Sequence, residues 1–177
     1  MIISLEDARK IDENITQNDI DAYEQMVRQI TNNNFQNWRV RYLGFTITDE
    51  KTINLGTTPV GLRVGDTIQM SDSSYNDGLY TIKEISETFI TCVEPNFFNG
   101  TFPTGFITKI EYPADIRYGV EGLIKWNKEM GAKMGIKSET IARMSVTYYD
   151  VNANDNSQGF PAAKLNFLKK YEKMRWG

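Results

Sequence analysis

The sequence predicts an α+β protein: a helical domain interrupted by an antiparallel β barrel or sandwich. Three observations carry this. Apolar residues recur with a helical period up to about Asn34 and again after Pro113. Between them, segments rich in β-branched and aromatic residues alternate with a period of two. Turn residues punctuate that middle block at Gly56 with Pro59, at Asn76-Asp77-Gly78, and at Asn99-Gly100 with Pro103. The expected division is 1–37 and 113–177 for the helical domain and 38–112 for the inserted β domain.

In order along the chain, Ser4 followed by Asp7 predicts a short capped helix with Leu5, Ala8 and Ile11 on one side. Thr16 with Asp19 predicts a capping box, and Ile20, Tyr23, Met26, Val27 and Ile30 form the apolar stripe of the helix that follows. Asn32, Asn33 and Asn34 end it, because short amides compete for backbone hydrogen bonds. RVRYLGFTI, LRVGDTIQMS, GLYTIKEIS, TFITCVE and GFITKIEY predict five strands, with Asp77-Gly78 forming a tight hairpin turn. Five short strands close together favour a barrel or sandwich, since a closed sheet hides its edges. Pro113 is expected at the first position of a long helix, striped by Ile116, Val120, Leu123, Ile124 and Met130. Gly119 and Gly122 are expected where another backbone comes close, and Gly135 is a natural stop. SVTYYDV (145–151) reads as a strand and Asn152 to Gly159 as polar loop. Pro161 then opens a last helix with Leu165, Leu168 and Tyr171 on one face.

Composition narrows the chemistry. The chain of 177 residues has 40% hydrophobic and 24% charged residues, the balance of a globular protein able to bury its own core. It contains no histidine, the side chain best suited to proton exchange near neutral pH and the commonest metal ligand. The usual serine and cysteine triads and the zinc hydrolases therefore lack a residue they need. Cys92 is the single cysteine and lies in an apolar strand, so it reads as a structural thiol. No phosphate-binding glycine loop is present. DVNAND (150–155) and DSSYNDG (72–78) superficially resemble calcium loops, but glycine and the last acidic ligand are misplaced in both, and polar loop is the better reading. The expectation is a protein without catalytic residues, cofactor or metal, and not an enzyme. The charged start MIISLEDARK is unlike a signal peptide, and no apolar run spans a bilayer, so no membrane partner is expected.

The net charge of -3 is unevenly placed. Residues 1–34 hold seven acids and three bases, whereas 161–177 hold five bases and one acid. The basic C-terminal segment also offers Tyr171, Met174 and Trp176, residue types suited to contact surfaces. That pattern fits docking on an acidic partner. A nucleic-acid-binding module is the alternative, using the β domain, with Tyr75 and Tyr80 for stacking, and the basic helix. Six bases against nine acids from Arg39 to Glu111 weigh against it.

Several segments resemble the head–tail connector (head-completion adaptor) proteins of tailed bacteriophages. ISLEDARKID and QNDIDAYEQMVRQITNNNF are similar to that family's opening helices, and PADIRYGVEGLIKWNKEMG to its long central helix. GIKSETIARMSVTYYD resembles its segment leading into a strand, and GFPAAKLNFLKKYEKMRW its closing helix and basic tail. The resemblance covers 2–36 and 113–176; the β insertion departs from compact members, which have a short connection there. It implies a structural virion protein that forms a ring, usually of twelve copies, beneath the portal. Such a ring joins the head to the tail and extends the DNA channel. The implied partners are the portal protein, neighbouring copies, the next connector or tail protein, and DNA passing through without sequence-specific binding. The implied location is the virion neck, and the host cytoplasm during assembly. Carried over from the family, the portal contacts would be Lys169, Lys170, Tyr171, Lys173, Met174, Arg175 and Trp176, and the ring contacts Ile136, Lys137, Ser138 and Glu139. Truncation after Asn166 is then expected to leave a folded protein that does not join its ring.

Overall fold

The computed structural model describes residues 1–130, 138–141, 144–147, 156–157 and 159–174. The chain divides into two compact units, one formed by Asn34–Glu111 and the other by Ile2–Asn33 with Tyr112–Gly177. The class is α+β, with a closed six-stranded antiparallel barrel in the first unit.

The helical unit begins as its caps dictate. Ser4 Oγ accepts from the Asp7 amide at 3.1 Å and opens α1, Leu5–Ile11. Thr16 and Asp19 form the full capping box of α2, Gln17–Thr31, satisfying two otherwise orphaned amides. Asn32 closes α2 in the left-handed conformation, φ 47°. Ile20, Tyr23 and Val27 bury the expected stripe, whereas Met26 and Ile30 are only half-buried. Long helix α3, Ala114–Met130, buries Ile116, Val120, Leu123 and Ile124. Pro113 lies one residue before this helix, not inside it, and its carbonyl accepts from the Ile116 amide at 3.1 Å. Lys128 Nζ donates to the Ile11 carbonyl at 2.8 Å, a cation meeting the negative end of α1.

The barrel comprises β1 (Gln36–Ile47), β2 (Thr52–Asn54), β3 (Thr67–Ser71), β4 (Gly78–Ile85), β5 (Phe89–Cys92) and β6 (Gly100–Ile110). Its strands follow the order β1-β2-β5-β4-β3-β6 and close by pairing β6 with β1. Ile47, Ile53, Ile68, Met70, Ile82, Ile90 and Ile107 are almost wholly excluded from solvent and fill the interior. Closure answers the barrel-or-sandwich choice: every strand has two neighbours, so no edge stays open.

Several sequence expectations change here. There are six strands, since three-residue β2 is too short to show a period. LRVGDTIQMS is a strand only from Thr67; residues before it loop through Gly61 and Gly65, both at positive φ. Lys109 pins that loop, pairing with Asp66 at 2.7 Å and donating to the Gly61 carbonyl at 3.3 Å. Asp77-Gly78 is not a two-residue hairpin turn. Asp77 has φ -65°, Gly78 already belongs to β4, and positive φ falls on Asp72 and Ser74 in a longer connection. Buried Asn76 holds that connection, exchanging hydrogen bonds with the Phe98 backbone at 2.8 and 3.0 Å. Gly100 and Pro103 lie within β6 and not in a turn. Between Leu43↔Phe106 and Phe45↔Phe102 the register shifts, and Pro103 occupies that irregular stretch, where no ladder amide is required of it.

In the helical unit, Gly122 has open space around it, and Gly119 faces a side chain, not a backbone: a Cβ there would overlap the Phe167 ring. Met144–Thr147 forms β8, pairing with β7, Ser138–Ile141; the rest of SVTYYDV lies outside the described residues, as does Gly135. Part of the expected polar loop is a short strand, Asn156–Ser157 (β9), paired with Phe160–Pro161 (β10). The last helix is a 3-10 helix, Ala162–Tyr171. Its apolar residues Leu165, Leu168 and Tyr171 recur every three positions, which is the 3-10 period itself.

Candidate interaction surface at the C-terminal segment

The C-terminal segment is fixed to the helical unit by three kinds of contact. Leu165 and Leu168 are buried, Leu168 completely. Around Asp115, in the first turn of α3, two groups converge. Tyr171 Oη donates to Oδ1 at 2.7 Å, and Lys170 Nζ pairs with Oδ2 at 2.7 Å. Hydrogen bonds from Lys170 and then Tyr171 hold the Asp115 carboxyl below the ordinary aspartate range, and the same carboxylate raises the Tyr171 hydroxyl. Beyond Tyr171 the backbone itself is held. The Lys173 amide donates to the Thr31 carbonyl at 2.8 Å. Asn32 Nδ2 donates to the Lys173 and Met174 carbonyls at 3.4 and 3.3 Å, and Asn33 Nδ2 to the Tyr171 carbonyl at 3.3 Å.

The portal-contact candidates therefore separate. Lys170 and Tyr171 are engaged with Asp115, although Lys170 stays largely solvent-exposed. Lys169, Lys173 and Met174 present their side chains to solvent, Met174 at 76%. Arg175 and Trp176 lie outside the described residues, as do Ile136 and Lys137; Ser138 and Glu139 begin β7. The structure thus brings together a basic, partly apolar surface on a rooted backbone. The asparagines that root it read in sequence only as a helix stop.

Glu24 is the polar centre of the helical unit and escaped the sequence reading. It is 4% exposed; Oε2 accepts from the Ile2 amide at 3.1 Å and Oε1 from Tyr112 Oη at 3.0 Å. Burial, reinforced by Glu24, pushes the Tyr112 hydroxyl far up, so it stays a donor. The only hint in sequence is that Glu24 directly follows Tyr23 of the apolar stripe.

A concavity of about 470 Å³ in the same unit is bordered by Asp12, Ile15, Asp19, Tyr23, Asn127 and Phe160. Asp19 is already committed to capping α2, and burial pushes the Tyr23 hydroxyl up to about 12. In the barrel, burial pushes the Cys92 thiol up to about 12, so at neutral pH it packs as a protonated thiol. Within 72–78, Asp77 Oδ1 accepts from both the amide and hydroxyl of Ser73, at 2.7 and 2.6 Å, which makes it a turn-forming group. Residues 150–155 are outside the described set. Among the described residues no cluster of three or more His, Cys, Asp or Glu is arranged to hold a metal, and no helix is long and apolar enough to cross a membrane. Of the two stacking candidates, Tyr80 is half-buried, packs edge-on to Phe97 and donates to the Asn76 carbonyl at 3.0 Å. Tyr75 is 85% exposed beside Phe98, with Asp72 and Asp77 in the same connection.

No protein-family model matches the chain, and no curated protein matches it significantly.

Proposed function

We propose that the protein is a structural connector of a tailed-phage neck: copies form a ring beneath the portal, join head to tail and extend the DNA channel. The single observation that carries this reading is the rooted C-terminal segment. Tyr171 to Met174 is anchored through Thr31, Asn32 and Asn33, while Lys169, Lys173 and Met174 project into solvent. Pre-ordering a contact segment lowers the entropy lost on docking. Acidic residues in α1 and α2 and bases at the other end of the chain give each copy unlike surfaces, as a head-to-tail ring requires.

The test is electron microscopy of the full chain mixed with a portal protein from the same genome. A ring of added density with the portal's symmetry is expected, lost in the Lys169→Glu/Lys173→Glu variant. A bare portal at every salt concentration, with the wild-type chain folded, would sink the reading.

A further inference from the structure

The barrel carries two outer faces of opposite character. On β1, Arg41 lies with its guanidinium 3.7 Å from the Phe106 ring centroid and 4.8 Å from that of Trp38. Trp38 is 59% and Leu43 74% exposed, and Arg39 is exposed beside them. An arginine stacked between rings keeps its hydrogen-bonding edge free and loses little entropy on pairing. Trp and Arg are also the residues most enriched at binding hot spots.

Strand β4 stands three positions from β1 in either direction around the closed order, which makes it diametrically opposite. There Glu84 is exposed, Glu87 follows in the turn to β5, and Glu94 follows β5; Lys83 is the one base on β4. Phe89, on the paired strand β5, supplies exposed apolar area at 36%. One face is thus cationic and aromatic, the other anionic with its own aromatic residue.

We propose that these faces bind each other between copies, the Trp38–Arg41–Leu43 face of one barrel seating on the Glu84–Phe89 face of the next. The occupant is a second copy of this chain, because the charges are complementary within one sequence. Opposite faces cannot satisfy one another in a symmetric pair. They propagate head to tail, giving a ring where the rotation per step closes and an open filament where it does not. The contact deepens the connector reading, on which it rests for its setting, by giving the β insertion the role of joining subunits.

Cysteine cross-linking of the full chain tests this, because the native Cys92 is buried. Leu43→Cys and Phe89→Cys variants are oxidised separately and mixed, first free at high concentration and then with the portal. Mixed dimers are expected, with little product from either variant alone, and a ladder from the double variant. Arg41→Glu or Glu84→Arg should each lower the mixed yield about tenfold, and combining them across the contact should restore it. Efficient Leu43→Cys self-linking, insensitivity to charge reversal, or no mixed product in either setting would overturn the proposal. So would salt-sensitive binding of an oligo-dT strand abolished by Trp38→Ala without any cross-link, which would assign the face to nucleic acid. Ring density on the portal without mixed product overturns the barrel contact alone. A ladder with no portal binding overturns the connector reading alone.

Discussion

The barrel and the helical unit hold themselves together in different ways. In the barrel, stability is spread over a closed hydrogen-bond ladder around an apolar interior in which isoleucine predominates, and the polar ties of Asn76 and of Lys109 to Asp66 hold connections and not the core. In the helical unit, short helices are held by a few specific polar ties: Glu24 to Ile2 and Tyr112, Asn32 and Asn33 to the C-terminal backbone, Asp115 to Lys170 and Tyr171. The difference teaches where each unit tolerates change. A closed sheet leaves its outer positions free to vary, including those of the proposed docking faces. A helical unit tied by polar pairs concentrates its sensitivity at those pairs.

The sharpest break in the comparison is truncation after Asn166. The sequence alone suggests that it leaves a folded protein, but the structure shows that it removes fully buried Leu168, the Tyr171–Asp115 bond and the Lys173–Thr31 bond. Loss of the leucine alone costs about 2–5 kcal/mol. Calorimetry should show the helical unit's transition lost or moved far down while the barrel's persists. Truncation after Met174 should leave both in place. If both transitions shift equally on the shorter truncation, the two units do not differ as described.

Glu24→Ala comes next. It leaves the buried Ile2 amide and the part-buried Tyr112 hydroxyl lacking this acceptor, at a cost of about 2–4 kcal/mol. Urea unfolding followed by helical circular dichroism should show it, with little change in a barrel-specific probe such as Tyr75 or Phe98. A loss below about 0.5 kcal/mol would mean that Glu24 is as replaceable as an exposed helix residue.

The smallest effect concerns pH. The folded-state pKa of Asp115 is depressed, so the contribution of its contacts is present above the ordinary value of 3.8 and is lost as pH falls through the lower folded value. Tyr171 ring resonances followed by NMR on acidification should move below that ordinary value, and Asp115→Asn should remove the movement. The barrel's own acid response, where hydrogen bonds from the Lys51 amide and Thr52 hold the Asp49 carboxyl low, should be unchanged by Asp115→Asn. A Tyr171 transition centred above 3.8 would contradict the Asp115 assignment.

Some of this was legible in the residues. The capping box at Thr16 and Asp19 is a local pattern and formed as read, and so did the stripe of Ile20, Tyr23 and Val27. One feature misleads for an identifiable reason. Asp77-Gly78 suggests a tight hairpin, but the Asn76 amide reaches the Phe98 backbone and imposes a longer connection. Leu165, Leu168 and Tyr171 read in sequence as one face of a last helix, and their strict spacing of three matches the tighter 3-10 winding it takes. At the candidate surface, the basic character of the C-terminal segment is plain in the sequence, but its anchoring on Asn32 and Asn33 is not.

What the sequence determined by itself is the alternation of periods: helical, then two, then helical, with caps and breakers at the joins. Those signals act between residues three or four apart, or between alternate residues, and any window of the chain contains them. Tertiary structure alone decided that the sheet closes, that Glu24 is buried, and that the asparagines ending α2 also hold the C-terminal segment. Each depends on a partner distant in the chain: Glu24 meets Tyr112 across 88 residues and Asn32 meets Met174 across 142. A polar side chain looks the same in sequence whether it faces water or a buried partner. Only the packing of the remaining chain brings that partner within reach and makes pairing obligatory.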